Sequence, residues 1–470
     1  MKAPTPVFVV VGHVNRGKSS IVSSLAADET VRIGDAPGTT RERRSFPMQL
    51  DGEILYTLID TPGFERARHV LAWLRERETR TADRPRLVRE FVEVHRRSGE
   101  YPQEVALLEP ILDGAAVLYV VDGGVPFNPT SEAETEILRW SGQPRMALIN
   151  RIGEGDYADQ WRPVLDQYFS LVREFDAHQA NFAARVALLR GLRELVEAWR
   201  PALDRAIEAL RGDRAHARRE SAQEIADALV EMLTRTEEER LEVGVEAEPH
   251  KAPLAARYFE ALRDRELALR ESLRSLYLHR ALEVDEVPRE MRPDAQGPLD
   301  EDLFDTSTWS RLGLSRGQLI ASGATAGAVI GGGIDAATGG ASFLVGSLLG
   351  SVIGGASSYW AWDRLTEVRV LGRPLGGALL AVGPMKSQAF PWVVLDRALL
   401  FHRLVANRSH SKRDPVKLSE AGSVVSQLSG DVRGAISAVL DRLGRRPDPG
   451  VRSRARNELA ELLEPILEDE

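Results

Sequence analysis

The chain has 470 residues, of which 43% are hydrophobic, and a formal net charge of −9. That is apolar content enough for packed cores, length enough for about three domains, and a balance that speaks against nonspecific nucleic-acid binding, which needs a basic surface. Cysteine is absent, which excludes disulfides, zinc–thiolate sites and thiol catalysis.

One lysine precedes the first apolar stretch, which is too short for a secretion signal, so a cytoplasmic location is expected. That stretch, Val7-Phe8-Val9-Val10-Val11, reads as a buried strand. It leads into Gly12-His13-Val14-Asn15-Arg16-Gly17-Lys18-Ser19, a complete match to the phosphate-binding pattern G-x-x-x-x-G-K-[ST], and Ser20 to Ala27 follows as a helix. Gly12 and Gly17 let the backbone curl so that its N–H groups converge on a phosphate. The helix start at Ser20 adds partial positive charge. Lys18 supplies a full charge for the β and γ phosphates, and the Ser19 hydroxyl is a ligand for Mg²⁺. Asn15 and Arg16 complete the expected cradle. A second apolar strand, Ile54 to Ile59, ends in Asp60-Thr61-Pro62-Gly63. Asp60 is expected to hold Mg²⁺ through water, and Gly63 to offer its N–H to the γ phosphate, so that the loop after it senses hydrolysis. Between the two motifs lies Asp35-Ala36-Pro37-Gly38-Thr39-Thr40-Arg41-Glu42, where one threonine is expected to reach the metal.

The stretches GHVNRGKSS, PGTTRE and LIDTPG resemble the Era/TrmE-type family of bacterial GTPases over roughly the first third of the chain. The resemblance implies GTP and GDP as ligands with Mg²⁺, and it makes Thr40, rather than Thr39, the metal ligand beside Ser19 and Asp60. Asn15 matches the asparagine that in several relatives helps to hold a potassium ion across a dimer of GTPase domains, so K⁺ and a nucleotide-dependent homodimer are expected with it. Lys18, Asn15 and Thr40 are then the residues expected to act on the transferred phosphate. Phe64 stands where many switch GTPases carry a water-positioning glutamine, as is usual in this family, and Glu65 is the neighbouring carboxylate.

The base-reading motifs are degraded. Met146 to Ile149 ends in Asn150-Arg151-Ile152-Gly153 where N-K-x-D is usual. Asn150 fits, Arg151 can stack on a base as a lysine stem does, and Gly153 takes the place of the aspartate that accepts from guanine N1 and N2. Asp156 is near enough in sequence to be considered as a substitute. After the strand Leu171 to Phe175, Asp176-Ala177-His178 resembles the family's S-A-K loop only in Ala177.

Strands near Val7, Phe46, Ile54, Val117, Met146 and Val172 alternate with helical segments, which predicts an α/β nucleotide domain, residues 1–211, with a mostly parallel sheet. Between Gly63 and the strand at Ala115 a long helical insertion, about 66–112, contains Val70 to Thr79 and Arg86 to Arg97. It is placed either to carry a signal or make a dimer contact, or to be a plain surface elaboration. Arg84 to Arg97 holds five arginines and a histidine, most simply read as a solvated helix face; no specific nucleic-acid partner is indicated. Residues 212–306 read as a helical arm, with the stripes Ile225, Leu229, Met232 and Tyr258, Leu262, Leu269, Leu273 interrupted by Glu266, and a turn between Glu242 and Pro253.

Residues 307–470 are expected to form a C-terminal domain. From Gly317 to Trp362 the single charge is Asp335; Gly323, Gly327, Gly331 and Gly346, Gly350, Gly354 recur every fourth residue. Small residues at that interval let two helices approach closely. The reading is a glycine-rich apolar hairpin, 317–362, whose second helix, Ala341 to Trp362, is long enough to span ~30 Å of hydrocarbon. Membrane lipid is its expected partner and the inner-membrane surface its location; a buried pair in a soluble core is the alternative. A small β element is expected near Val368 and Leu379, then helices at Pro391–Ala406, Leu418–Leu443 and Ser453–Leu467. The order of parts, with DTSTWSRLGLSRGQ and AVGPMKSQAFPWVVLDRALL, is similar to a bacterial family that joins such a GTPase domain to a C-terminal domain of unknown function. Three functional readings follow: a slow GTPase switch coupled to a membrane-associated domain, a nucleotide-binding scaffold without turnover, and a dynamin-like membrane-remodelling GTPase.

Overall fold

The computed structural model describes residues 5–13, 17–26, 43–50, 52–151, 155–177, 180–242, 245–277, 303, 369–370, 373–374, 378–385, 389–408, 423–443 and 447–468. The expectations for Asn15, Arg16, Thr40, Gly153 and the hairpin 317–362 fall outside these residues. The chain divides into two compact units near residue 215.

In the first unit, β1 (Val7–Val11), β2 (Arg44–Leu50), β3 (Glu53–Asp60), β4 (Ala116–Asp122), β5 (Arg145–Asn150) and β6 (Leu171–Glu174) form one sheet in the order β2-β3-β1-β4-β5-β6. Every pair is parallel except β2 with β3. Strands that are apolar on both faces need cover on both faces. Phe8 and Val10 face one core together with α1 (Lys18–Ala26), α7 (Phe182–Arg193) and Leu203, Ala206 and Ile207. Val9 and Val11 face the other, with α2 (Ala67–Arg77), α3 (Arg84–Ser98), α4 (Pro102–Leu112), α5 (Pro129–Trp140) and α6 (Ala158–Tyr168).

Helices α2 to α4 are the insertion, and they are part of the domain core. Val88, Phe91, Leu107, Leu108 and Ile111 are all fully buried. Trp73, Phe91, His95 and Tyr101 tie the three helices together with ring centroids 4.4 to 5.6 Å apart. Burial pushes His95 below the ordinary histidine range, against an opposing pull from Glu100.

Helix α8 (Arg200–Thr234) begins in the first unit and ends in the second. There Ile225, Leu229 and Met232 share one core with α9 (Glu248–Leu276), α10 (Phe390–Ala406), α11 (Gly430–Leu443) and α12 (Pro449–Leu463). The stretch read as an arm and the described part of the C-terminal segment thus contribute to the same core. Where sequence periodicity suggested helix and turn, Glu237–Leu241 is a strand, β7. It pairs antiparallel with Ala378–Val382, which is β10, from Leu241 opposite Ala378 to Val382 opposite Glu237. Its sequence, EEERL, has no apolar alternation, so only the distant partner strand makes it β. A two-residue ribbon, β8 (Arg369–Val370) with β9 (Arg373–Pro374), is the other β element of this region. Among the described residues no helix is long and apolar enough to cross a membrane.

The interruption at Glu266 in the α9 stripe has a structural reason. Its buried carboxylate accepts from Arg397 Nε at 2.6 Å and from Arg270 Nη2 at 2.9 Å. Burial alone would raise its pKa, but Arg270 and Arg397 more than offset that and hold it at about 2. A carboxyl depressed from about 4.5 contributes stability that is fully present above the unfolded value and is lost as pH falls through 4.5 toward 2, about 3 kcal/mol in all. Glu266→Ala leaves two buried guanidiniums without their shared partner and is expected to destabilise the second unit by about 3–5 kcal/mol at pH 7. Urea unfolding followed by circular dichroism should show that loss, and show the gap from wild type closing as pH drops from 5 to 3.

Candidate functional site

The site is built where β1 and β3 end side by side, with Val10 opposite Asp60. Gly12 follows β1 at φ +145°, and a Cβ there would lie 2.3 Å from the Val120 carbonyl oxygen. Only glycine lets the chain turn this tightly against β4. Gly17, at φ +78°, makes the second turn into α1. Lys18 Nζ donates to the His13 carbonyl at 2.9 Å. His13 Nδ1 lies 3.1 Å from Glu134 Oε1, and the other oxygen of that buried carboxylate accepts from the Tyr119 hydroxyl at 2.8 Å. Residue 13 is therefore held from both its backbone and its side chain.

Ser19 Oγ donates to Asp60 Oδ2 at 2.9 Å. The residues expected to share a metal are thus brought into contact from α1 and β3, 41 positions apart. A hydroxyl and a carboxylate are hard oxygen donors suited to Mg²⁺, so this pair fits the ion. Thr61 Oγ1 donates to the Val10 carbonyl at 2.7 Å and Phe64 N–H to the Gly12 carbonyl at 3.1 Å. These two bonds fasten the segment around Gly63 to β1 and to the phosphate loop. Phe64 is completely buried and packs in the core with Ala67 and Val70 of α2, so its ring is an anchor for this segment.

At the base-reading end, Asn150 Oδ1 accepts from the Ala177 N–H at 3.1 Å, and Ser24 Oγ donates to the Ala177 carbonyl at 3.0 Å. Asn150 and Ala177, expected to meet around a base, are therefore clamped to each other and to α1. Arg151 Nη2 lies 3.0 Å from Glu174 and 4.0 Å from Asp156. Asp156 thus comes to the edge of ion-pair distance from Arg151, the residue in the lysine position. Among the described residues no group of three or more acidic or histidine side chains forms a separate metal centre.

One residue of this region had no signal in the sequence. Glu104, in the first turn of α4 and 1% exposed, accepts the backbone N–H of Glu65 at 3.0 Å and of Arg66 at 2.6 Å. Those amides directly follow Phe64. A carboxylate in the first turn of an amphipathic helix is ordinary, and its contact is some 38 residues away, so nothing local marks it out.

Residues 7–151 match the family described as 50S ribosome-binding GTPase, and residues 162–464 match the domain of unknown function DUF3482. Similar curated proteins include the GTPase Der of Vibrio parahaemolyticus, 26% identical over 170 residues, covering 35% of this chain and 28% of that protein. Der of Paraburkholderia phymatum is 28% identical over 187 residues, covering 39% and 41%, and Der of Aromatoleum aromaticum is 48% identical over 62 residues, covering 13% and 14%. The chain thus spans less than half the length of each of these relatives. Among solved structures, Era of Aquifex aeolicus bound to GDP and aluminium fluoride aligns with a TM-score of 0.27 at 19% identity, over 52% of this chain and 73% of that one. A complex of Era with MgGDPNP and a 16S ribosomal RNA segment aligns at 0.29 and 16%, over 58% and 89%. The chain belongs to the DUF3482 family, and its N-terminal part is a P-loop GTPase domain similar to part of Der.

Proposed function

We propose that the first unit is a GTP-binding switch with slow, Mg²⁺-dependent hydrolysis. The observation that carries this reading is the contact of Ser19 with Asp60 at 2.9 Å beside Lys18, at the joined ends of β1 and β3. Ser19 and Asp60 would hold Mg²⁺, with Thr40 as the third protein ligand expected from the family resemblance. Bound there, the ion would neutralise charge on the β and γ phosphates. Lys18 would exchange the His13 carbonyl for phosphate oxygens, a swap of a neutral acceptor for a charged one. Gly63 would present its N–H to the γ phosphate from a segment already fastened by Thr61 and Phe64. Slow turnover follows from the buried Phe64, which cannot orient water. Asn15, with K⁺ and a second GTPase domain, would supply the missing charge. The base would lie along Asn150, Arg151 and Ala177, with Asp156, 4.0 Å from Arg151, as the acceptor for guanine N–H groups.

The second half of the proposal is membrane coupling: the apolar stretch 317–362 would dock on or in the inner membrane from the cytoplasmic side. Its support is the sequence alone, a run in which Asp335 is the single charge. A scaffold that binds nucleotide without turnover is the second reading, and the buried Phe64 favours it.

Calorimetry with GTP and Mg²⁺ should show binding, and Lys18→Ala should weaken it by about a hundredfold, the equivalent of about 2–3 kcal/mol for one charged contact. No heat with any purine triphosphate would end the reading; equal binding of ATP would remove the guanine part of it. Single-turnover hydrolysis in KCl and in NaCl then separates switch from scaffold. A slow product burst, faster in K⁺, is expected, and no product over hours would favour the scaffold. For the membrane half, the full chain should sediment with phosphatidylglycerol-containing vesicles and a chain lacking 317–362 should stay in the supernatant.

A further inference from the structure

We propose that Glu104 is a positioning residue for the hydrolysis reaction, through which the helical insertion sets the conformation of the loop that follows Gly63. The inference rests on the GTPase reading above and deepens it. Four observations carry it. The Glu104 carboxylate is buried and collects two adjacent backbone N–H groups, those of Glu65 and Arg66. Those donors stand immediately before α2, whose N-terminus has no side-chain cap of its own, so α4 supplies the acceptor at that end. The carboxylate also lies in the first turn of α4, so two helix N-termini converge on one negative charge. Finally, α4 also approaches the first described residue after the PGTTRE segment of the sequence: Glu109 accepts from Arg96 Nε at 2.7 Å and lies 3.8 Å from Arg43 Nη1.

The consequence is mechanical. Asp60 to Phe64 is tied to β1 and to the phosphate loop by Thr61 and Phe64, while residues 65 and 66 are tied to the insertion by Glu104. The Gly63 amide lies between the Thr61 and Phe64 ties, two residues before the first amide that Glu104 holds. A γ phosphate that draws on Gly63 works against the Thr61 and Phe64 ties first, and the Glu104 bonds fix the residues that follow directly and carry the pull to α4. Both amides donate to the same buried Glu104 oxygen, so one acceptor on α4 fixes two adjacent residues at once. Without it, residues 65 and 66 gain conformations, and the loop is no longer held in the one that hydrolysis uses.

The test is a set of Glu104 variants of the full chain, read by affinity for GDP and by single-turnover GTP hydrolysis. GDP lacks the phosphate that meets Gly63, so Glu104→Ala should bind GDP within twofold of wild type while hydrolysing bound GTP at least tenfold more slowly. Glu104→Gln keeps an oxygen that can accept both amides and should restore the rate to within threefold of wild type. Should the alanine variant not fold, Glu104→Asp, which withdraws the acceptor by one methylene, should show the same slowing. The proposal is overturned if Glu104→Ala folds and hydrolyses GTP at the wild-type rate, or if GDP affinity falls in step with the rate, which is what general damage to the fold would do. A wild-type protein that binds no nucleotide would instead overturn the GTPase reading on which this one stands.

Discussion

The parallel pairing of β1 with β3, in the register that sets Val10 against Asp60, is the constraint on which the rest of the nucleotide end depends. It ends two strands at one level, so the loop after β1 and the loop after β3 open onto the same space. Ser19 then meets Asp60, Thr61 reaches back to the Val10 carbonyl, and Phe64 N–H finds the Gly12 carbonyl. A slip of one residue would turn Asp60 to the other face of the sheet and break all three contacts. The glycine at 12 is the local condition for that arrangement, because β4 leaves no room for a side chain there.

Around this end the domain is fastened by buried carboxylates that accept from distant donors. Glu134 joins Tyr119 to His13, and Glu104 joins α4 to the amides before α2. Each carries charge into a place with little water, which is tolerable only because its hydrogen bonds are made. Such contacts constrain geometry more than they stabilise, since removing one partner strands the other. They sit beside His13 and beside the residues that follow Phe64.

The second unit uses the same device for a different end. Its core is a group of helices with the β7–β10 ribbon, and Glu266 with Arg270 and Arg397 fixes α9 against α10. Asp396, next to Arg397, accepts from the Ser423 hydroxyl and the Val425 N–H, holding the segment that leads into α11. Tyr277 and His402 share a further buried contact at 2.7 Å. Interdigitated leucines alone would allow helices of similar pattern to slide; paired charges at single positions select one register.

The six strands, the insertion and its place after Gly63, and the helices at the C-terminal end were legible in the sequence, because each rests on a local pattern: period-two or continuous apolar runs for strands, spacings of three and four for helices. The turns at Gly12 and Gly17 and the helix that starts at Lys18 were legible for the same reason, since glycines at fixed offsets are a local requirement of the backbone. What only the tertiary structure decided involves partners far apart in the chain. Residues 237–241 become a strand because 378–382 lies beside them, against their own composition. Glu266, an apparent flaw in an apolar stripe, is the centre of an ion group whose other half is on α10. Phe64, which the resemblance could mark only as the absence of a glutamine, is buried as an anchor. Glu104 looks like any helix-start acid until the fold sets it beneath the amides of Glu65 and Arg66. Local pattern decides which elements form, because propensity and amphipathicity act over a few residues; which side chains meet is decided by packing, and its free energy is shared by residues that no window of sequence contains.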